Sequence, residues 1–424
     1  LGYEFLGFRT GTIIGNNDLK ILVGLTLKPP QNLFEPFRFI VGTYDYTDRA
    51  QAIFLKFVQL YKCSLLHSIS HIIPQNSIRR TYVGSTIYHV YLSILHIIKD
   101  SGYPKDNTGN NLLFLVESTP MIDTLIPNLK KQFFREVYII SERKEHVREL
   151  GKFNYSFRRR KALIPYLEKK HPVLAQEKDF IGLSDLYLCD TDSSKSYFLY
   201  EFGQKGITMI EDGARTYSQR HSPFEQFIKS VFTKTPIGGG FDREVKSILA
   251  QFPDRLPQSL QHKAKELNIK KETTTLDEGT KKQIFELFLS EETFDINGEN
   301  SALILTQPIS EDKVIKNESE KIKIYADIIS KVPKNMDIVL KLHPRETTKY
   351  EAHFKDVTIL PALFPIEILG LKKGFYFKQG YTLFSTALSN LEIVKERFFL
   401  GKDYLDKFTV KATRNLIENM IIDQ

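Results

Sequence analysis

The sequence predicts an α/β protein built from two Rossmann-like halves, and three observations predict it. At 424 residues the chain is too long for one ordinary core, so two domains are expected. Apolar residues make up 42% and charged residues 26%, the balance of a folded globular chain. From about Arg38 short apolar runs bounded by turn residues alternate with segments of helical length, and the same alternation starts again near residue 300.

Taken in order, strands are read at Phe39–Gly42, Leu112–Val116, Val137–Ile140, Leu186–Cys189 and Thr208–Ile210. Helical stretches fall between them at Thr47–Tyr61, Ile87–Ile98, Met121–Lys131 and Phe157–Lys169, while the segment before Arg38 fits neither period. After Tyr217 the pattern breaks at Pro236, Gly238–Gly240, Pro253 and Pro257, and a charged tract follows over Lys263–Lys282; this reads as the connection between domains. The second half brings a strand at Ala302–Leu305, a helix over Glu318–Ser330 and a strand at Asp337–Lys341. Further strands are expected at Thr358–Leu360, Gly374–Phe377 and Arg397–Leu400. The last stretch, Thr409–Ile422, has helical spacing and is expected to cross back. The expected division is 1–285 and 286–424.

Composition narrows the function classes. Cys63 and Cys189 stand far apart without metal-ligand spacing, so neither a disulfide framework nor a zinc site is indicated, and a reducing, cytoplasmic compartment fits. No window reaches the roughly 18 uninterrupted apolar residues of a membrane span. The formal charge of +8 is uneven: Ser141–Lys170 holds ten Lys or Arg against four Glu. Such a patch suits an acidic polymer or an anionic membrane surface, as well as a plain solvated helix face. Nucleic acid is disfavoured, because the patch lacks interleaved aromatics and the chain lacks a recognisable nucleic-acid module.

Ligands of open α/β sheets sit at the carboxyl ends of strands, so the residues just after apolar runs carry the functional argument. Glu211-Asp212-Gly213 follows Ile207–Ile210 and puts two carboxylates and a glycine at a strand end, where one could take a proton from an attacking hydroxyl. Lys341-Leu342-His343-Pro344 follows another strand; proline ends the ladder as an ammonium and an imidazole emerge, a pair suited to a phosphate and a leaving group. His171-Pro172 has the same dipeptide but follows a charged helix end, which favours His343. Ser385-Thr386 leads into Ala387-Leu388 and is placed to open a helix and bind phosphate, or simply to cap it. Glu367, after Phe364-Pro365, could accept ribose hydroxyls.

In this order the motifs resemble those of the bacterial sialyltransferases, the families of capsule polysialyltransferases and lipooligosaccharide sialyltransferases. Those families share an Asp/Glu-Asp/Glu-Gly motif, a His-Pro motif and a later Ser-Ser/Thr motif, which read here Glu211-Asp212-Gly213, His343-Pro344 and Ser385-Thr386. The resemblance covers Ile207–Leu388 and implies a GT-B architecture, CMP-sialic acid as donor, inversion at the anomeric carbon and no metal. It makes Asp212, or otherwise Glu211, the general base and His343 the group acting on the CMP phosphate. Gly213, Thr306, Gln307, Pro308, Lys341, Pro344, Glu367, Ser385 and Thr386 would then serve the donor. Arg158, Arg159, Arg160 and Lys161 would meet an acidic glycan acceptor or the anionic inner membrane.

Three other readings remain at this stage. Asp190-Thr191-Asp192 has the Asp-x-Asp spacing of a divalent-cation site. A Lys-x-His-Pro strand end serves CDP- or UDP-linked units equally well. Outside enzymology, the charge alone allows a basic nucleic-acid-binding protein.

Overall fold

The computed structural model describes residues 4–15, 18–28, 38–40, 78–101, 108–116, 122–141, 143–157, 159–233, 235–289, 296–385 and 387–405. The chain divides into two compact units, 1–75 and 76–424. In the first, strands β1 (Glu4–Gly15), β2 (Asp18–Lys28) and β3 (Arg38–Ile40) form an antiparallel sheet in that order. The expected strand at Phe39–Gly42 overlaps β3, its last two residues lying outside the described residues. The expected helices Thr47–Tyr61 and Thr409–Ile422, and Cys63, also lie outside them.

The second unit contains two wholly parallel sheets. The larger is built from β4 (Arg80–Gly84), β5 (Asn111–Val116), β6 (Glu136–Ile140), β7 (Asp185–Leu188), β8 (Ile207–Ile210), β9 (Val245–Ala250) and β10 (Ala264–Glu266), in the order β10-β9-β8-β7-β4-β5-β6. The smaller comprises β11 (Ser301–Leu305), β12 (Asp337–Lys341), β13 (Thr358–Leu360), β14 (Phe377–Thr382) and β15 (Val394–Phe399), in the order β13-β12-β11-β14-β15. Each sheet starts in its middle, winds outward one way and then reverses. The reversals fall between β4 and β7 and between β11 and β14, and these are the points where doubly wound sheets bind ligands. Two Rossmann-like sheets facing across a cleft are the GT-B arrangement that the motif resemblance implied.

Local sequence explains most of these elements. β5 reads NLLFLV with every residue buried, as a central parallel strand covered on both faces requires. Helix α1 (Ile87–Ser101) is buried at every position from Ile87 through Ile98 except Tyr88, which makes it a core helix rather than a surface one. It shares an apolar cluster with helix α3 (Glu278–Phe288) and the 3-10 turn Ile366–Leu371, so one continuous core joins the two sheets. Helix α2 (Arg159–Lys170) and helix α4 (Glu318–Lys331) cover separate apolar clusters, one at each sheet.

Two expectations are corrected. The stretch after Tyr217 is not yet a connection, because β9 and β10 extend the first sheet through it. Gly238, Gly239 and Gly240 all take positive φ (88°, 58° and 89°) in a turn whose Gly239 N–H reaches Asp190 at 3.3 Å. The strand expected at Gly374–Phe377 begins only at Phe377 and runs to Thr382. Its Lys378, Gln379 and Gly380 conceal it from an apolar scan, and Gly380 is there because a Cβ would meet Leu388 and Val394 at 2.7 Å. β4 was also missed, being short and containing Arg80 and Thr81. The 285/286 division falls inside α3. Among the described residues no helix is long and apolar enough to cross a membrane.

Candidate active site

The carboxyl ends of the two sheets meet in a cleft of roughly 700 Å³, a size suited to a nucleotide-linked sugar. From the first sheet it is lined by Ser85, Thr86, Tyr88, Asp190, Asp192, Lys195, Asp212, Gly213 and Arg215. The second sheet contributes Thr306, Lys341, His343, Pro344, Arg345, Glu367 and Ser385.

On the first wall, β8 ends and Gly213 turns the chain at a φ of 56°, which delivers Asp212 to the cleft before the short helix Ala214–Ser218. The Asp212 carboxylate stands 3.0 Å from His89 Nε2 and 3.9 Å from Arg215, and its backbone N–H donates to Thr216 Oγ1 at 2.6 Å. Burial alone would raise this carboxyl, but His89, Lys195 and Arg215 more than offset it and hold it below its ordinary range.

Glu211 is placed differently. It is 1% exposed and accepts from Tyr88 Oη (2.5 Å), Gln251 N (2.6 Å), Gln251 Nε2 (3.1 Å) and Tyr217 Oη. The alternation of side chains past the strand end turns it inward, where it ties three segments together and does not line the cleft.

The second wall is anchored by groups that sequence reading did not single out. Glu346, with a side chain 1% exposed, accepts from His343 N–H (2.9 Å), Tyr350 Oη (2.9 Å) and Thr306 Oγ1, with Lys321 Nζ at 3.4 Å. Lys321, wholly buried, also pairs with Glu311 at 2.8 Å. This network holds the His-Pro turn in place. His343 Nδ1 accepts the Arg345 N–H at 3.1 Å, so the neutral ring carries its proton on Nε2. Burial, then Arg345 and Lys341, push the imidazole down to about 4, so it is neutral near pH 7. Arg345 in turn holds Asp312 through two bonds, at 2.7 and 2.9 Å.

Lys341 donates to the carbonyls of Leu342 (2.8 Å) and Ala362 (3.0 Å) and lies 4.6 Å from the Phe364 ring centroid. Burial pushes its ammonium down to about 7, Glu367 and Glu346 opposing only in part. Burial likewise pushes Glu367 up to about 7.

Other expected residues are sorted by position. Thr306, Lys341, Pro344, Glu367 and Ser385 line the cleft with His343, whereas Gln307 and Pro308 do not. Gln307 faces inward, its Oε1 accepting from Phe384 N–H at 3.0 Å, and so braces the loop before Ser385. Thr386 and Arg158 lie outside the described residues. Arg159 is a correction to the basic-surface reading: it is buried, pairs with Asp192 at 2.7 Å and stacks over Tyr155, so it faces the core. Arg160 and Lys161 are exposed on α2 and do not line the cleft. The two carboxylates of Asp190-Thr191-Asp192 diverge to different partners, Asp190 to Arg215 (3.7 Å) and Asp192 to Arg159.

Lys195, Arg215, Arg345 and His89 were legible only in part. Arg215 follows Gly213 by two residues and Arg345 follows Pro344, so both were adjacent to recognised motifs. His89 sits in the first turn of α1 after β4, a strand whose Arg80 and Thr81 hide it from an apolar scan.

The arrangement sets an ionised carboxylate on one wall and a neutral imidazole N–H on the other, with cations around both. Such a cleft can take a proton from an incoming hydroxyl and stabilise a departing phosphate.

The chain is similar to several known proteins. The model of glycosyltransferase family 52 matches residues 142–399, more than half of the chain, a span that holds the second wall of the cleft and the part of the first from Asp190 to Arg215. An uncharacterized protein from Haemophilus influenzae (strain ATCC 51907 / DSM 11121 / KW20 / Rd) is 30% identical over 192 residues, 45% of this chain; the match spans 61% of that relative's length. Among solved structures, UDP-GlcNAc 2-epimerase from Neisseria meningitidis bound to UDP-GlcNAc is similar with a TM-score of 0.39 and 14% identity, covering 81% of this chain and 90% of the other. The glycosyltransferase SnogD from Streptomyces nogalater gives a TM-score of 0.38 and 9% identity, over 81% and 96%.

Proposed function

The chain belongs to glycosyltransferase family 52, the bacterial sialyltransferase family, and from that premise we propose that it moves sialic acid from CMP-sialic acid to a hydroxyl of a cell-surface glycan, with inversion at the anomeric carbon. The family implies a nucleotide-sugar donor and a glycan acceptor. The observation that carries the finer reading is that the acidic and His-Pro motifs, distant in sequence, face one cleft at the ends of two sheets.

In this reading the first lobe presents the acceptor, and residues 286–424 bind the donor. Asp212 takes the acceptor proton as the new bond forms on the face opposite the departing CMP. Its low proton affinity keeps it ionised and ready, while its position supplies the direction of attack. His343 donates its Nε2–H to the phosphate. An anion beside the ring raises its proton affinity, so donor binding itself prepares the imidazole to act as acid. Lys341 and Arg345 add positive charge, and Ser385 and Thr386 hold the phosphate oxygens. Glu367 is near the ribose. Because protein cations flank the phosphate and each carboxylate of the Asp-x-Asp pair has an arginine partner, no metal is needed in this scheme. The acidic-acceptor role falls to exposed Arg160 and Lys161, at or near the inner membrane on its cytoplasmic face.

Nucleotide-induced thermal stabilisation of the purified protein tests the donor. CMP should raise the melting temperature more than CDP or UDP at equal concentration, with or without a chelator. Preference for UDP, or a response that the chelator abolishes, would overturn the proposal.

A further inference from the structure

His89 is 2% exposed and touches the substrate cleft only through its neighbours. Its Nδ1 receives the backbone N–H groups of Ser85 at 3.2 Å and Thr86 at 3.1 Å, with Thr86 Oγ1 at 2.9 Å. A ring nitrogen facing two N–H donors is the unprotonated one, so the ring proton sits on Nε2. Nε2 is the atom 3.0 Å from Asp212 Oδ1; the contact is close without being aligned as a hydrogen bond.

The backbone is adapted to this placement. Gly84 ends β4 against the base of the His89 side chain, and a Cβ there would lie 2.9 Å from His89 Cβ, closer than side chains approach. The groups facing Asp212 are His89, Lys195 and Arg215, with Cys189 beside His89 and Asp190 beside Arg215. Arg215 is more than half exposed and 3.9 Å from the other carboxylate oxygen, Oδ2, so it can yield to an acceptor. His89 is buried and cannot.

We propose that His89 is a positioning residue that holds Asp212 by Oδ1 and so leaves Oδ2 turned toward the acceptor hydroxyl, a role that rests on Asp212 being the base. The imidazole acts as the fixed second partner of a carboxylate, as outer partners do for catalytic and metal-bound groups, where their loss typically costs about 10- to 100-fold. The β4–α1 junction, where the first sheet reverses, thus contributes an orienting group that no strand-end motif announces.

Steady-state transfer from CMP-sialic acid separates this role from packing. His89→Leu should lower kcat by about 10- to 100-fold with KM for the donor within about twofold. Because His89 opposes the upward pull of burial on Asp212, the acid limb of the kcat profile should also move to higher pH. His89→Gln, which returns an N–H near the Nε2 position, should recover most of the loss and return the limb toward its original pH. Gly84→Ala leaves the imidazole intact but displaces it, and should reduce kcat in the same direction. If His89→Leu fails to fold, Gly84→Ala and His89→Gln decide the matter alone.

Unchanged kcat in His89→Leu, or a loss that glutamine does not restore and that leaves the acid limb in place, overturns the proposal. Asp212→Asn is measured alongside. Retained transfer in that variant sinks the assignment of the base itself, whereas an inactive Asp212→Asn beside an unaffected His89→Leu sinks only the role of His89.

Discussion

Replacing Glu346 by alanine should damage the protein in two ways that can be measured separately. The carboxylate is 1% exposed and accepts from His343 N–H, Tyr350 Oη and Thr306 Oγ1, with Lys321 Nζ at 3.4 Å. Truncation removes the acceptor of Tyr350 Oη, leaves His343 N–H and Thr306 Oγ1 with longer contacts at 3.3 Å to Thr306 Oγ1 and to the Lys341 carbonyl, and leaves the wholly buried Lys321 with Glu311 as its carboxylate partner. Removing one member of a buried ion pair costs about 3–5 kcal/mol, and the retained Glu311 contact puts this case near the lower bound, ~3 kcal/mol. At about 2–4 °C per kcal/mol for a large domain, the melting temperature should fall by about 6–12 °C. Glu346→Gln, which keeps an acceptor for the neutral donors, should fall between alanine and the parent. Below the melting range, transfer should drop as well, because the backbone that aims His343 has lost its anchor. Thermal unfolding followed by circular dichroism, with transfer measured at 20 °C below each midpoint, is the assay. A Glu346→Ala protein melting within about 1 °C of the parent would refute the claim that this network holds the His-Pro turn.

Three further outcomes are expected. His343→Ala should cut transfer by orders of magnitude while the fold stays intact, and His171→Ala should do little, since His171 Nε2 is spent on Ser141 N–H (3.1 Å) and Ser141 Oγ (2.9 Å); equal activity in the two would refute the assignment. Asp212→Asn should abolish transfer while CMP still binds, and loss of CMP binding with turnover retained at saturating donor would contradict its role. Lys341 has its ammonium pushed down to about 7, so it is charged below that pH and neutral above it in the free protein; a bound phosphate favours the charged form. CMP affinity measured by calorimetry should therefore weaken as pH rises from 6 to 9 (about that range), and a flat profile would remove Lys341 from the phosphate site.

The sequence by itself determined the α/β class, the positions of most parallel strands and the three short motifs that point to one family. Those features are local: a continuous apolar run, a proline that ends a ladder, a glycine needed where φ turns positive. Strands β4, β9 and β14 escaped because they mix charged, hydroxyl and glycine residues whose burial depends on neighbours rather than on the run itself. Tertiary structure alone decided which member of Glu211-Asp212 faces the cleft, since one step along the chain reverses the direction of a side chain. It also turned Arg159 from a presumed surface cation into a buried partner of Asp192, and it brought Gly84, His89, Lys321 and Glu346 to the site through contacts between segments far apart in the chain. Pairing at such separations is set by strand order and packing, and neither is written in any single stretch of residues.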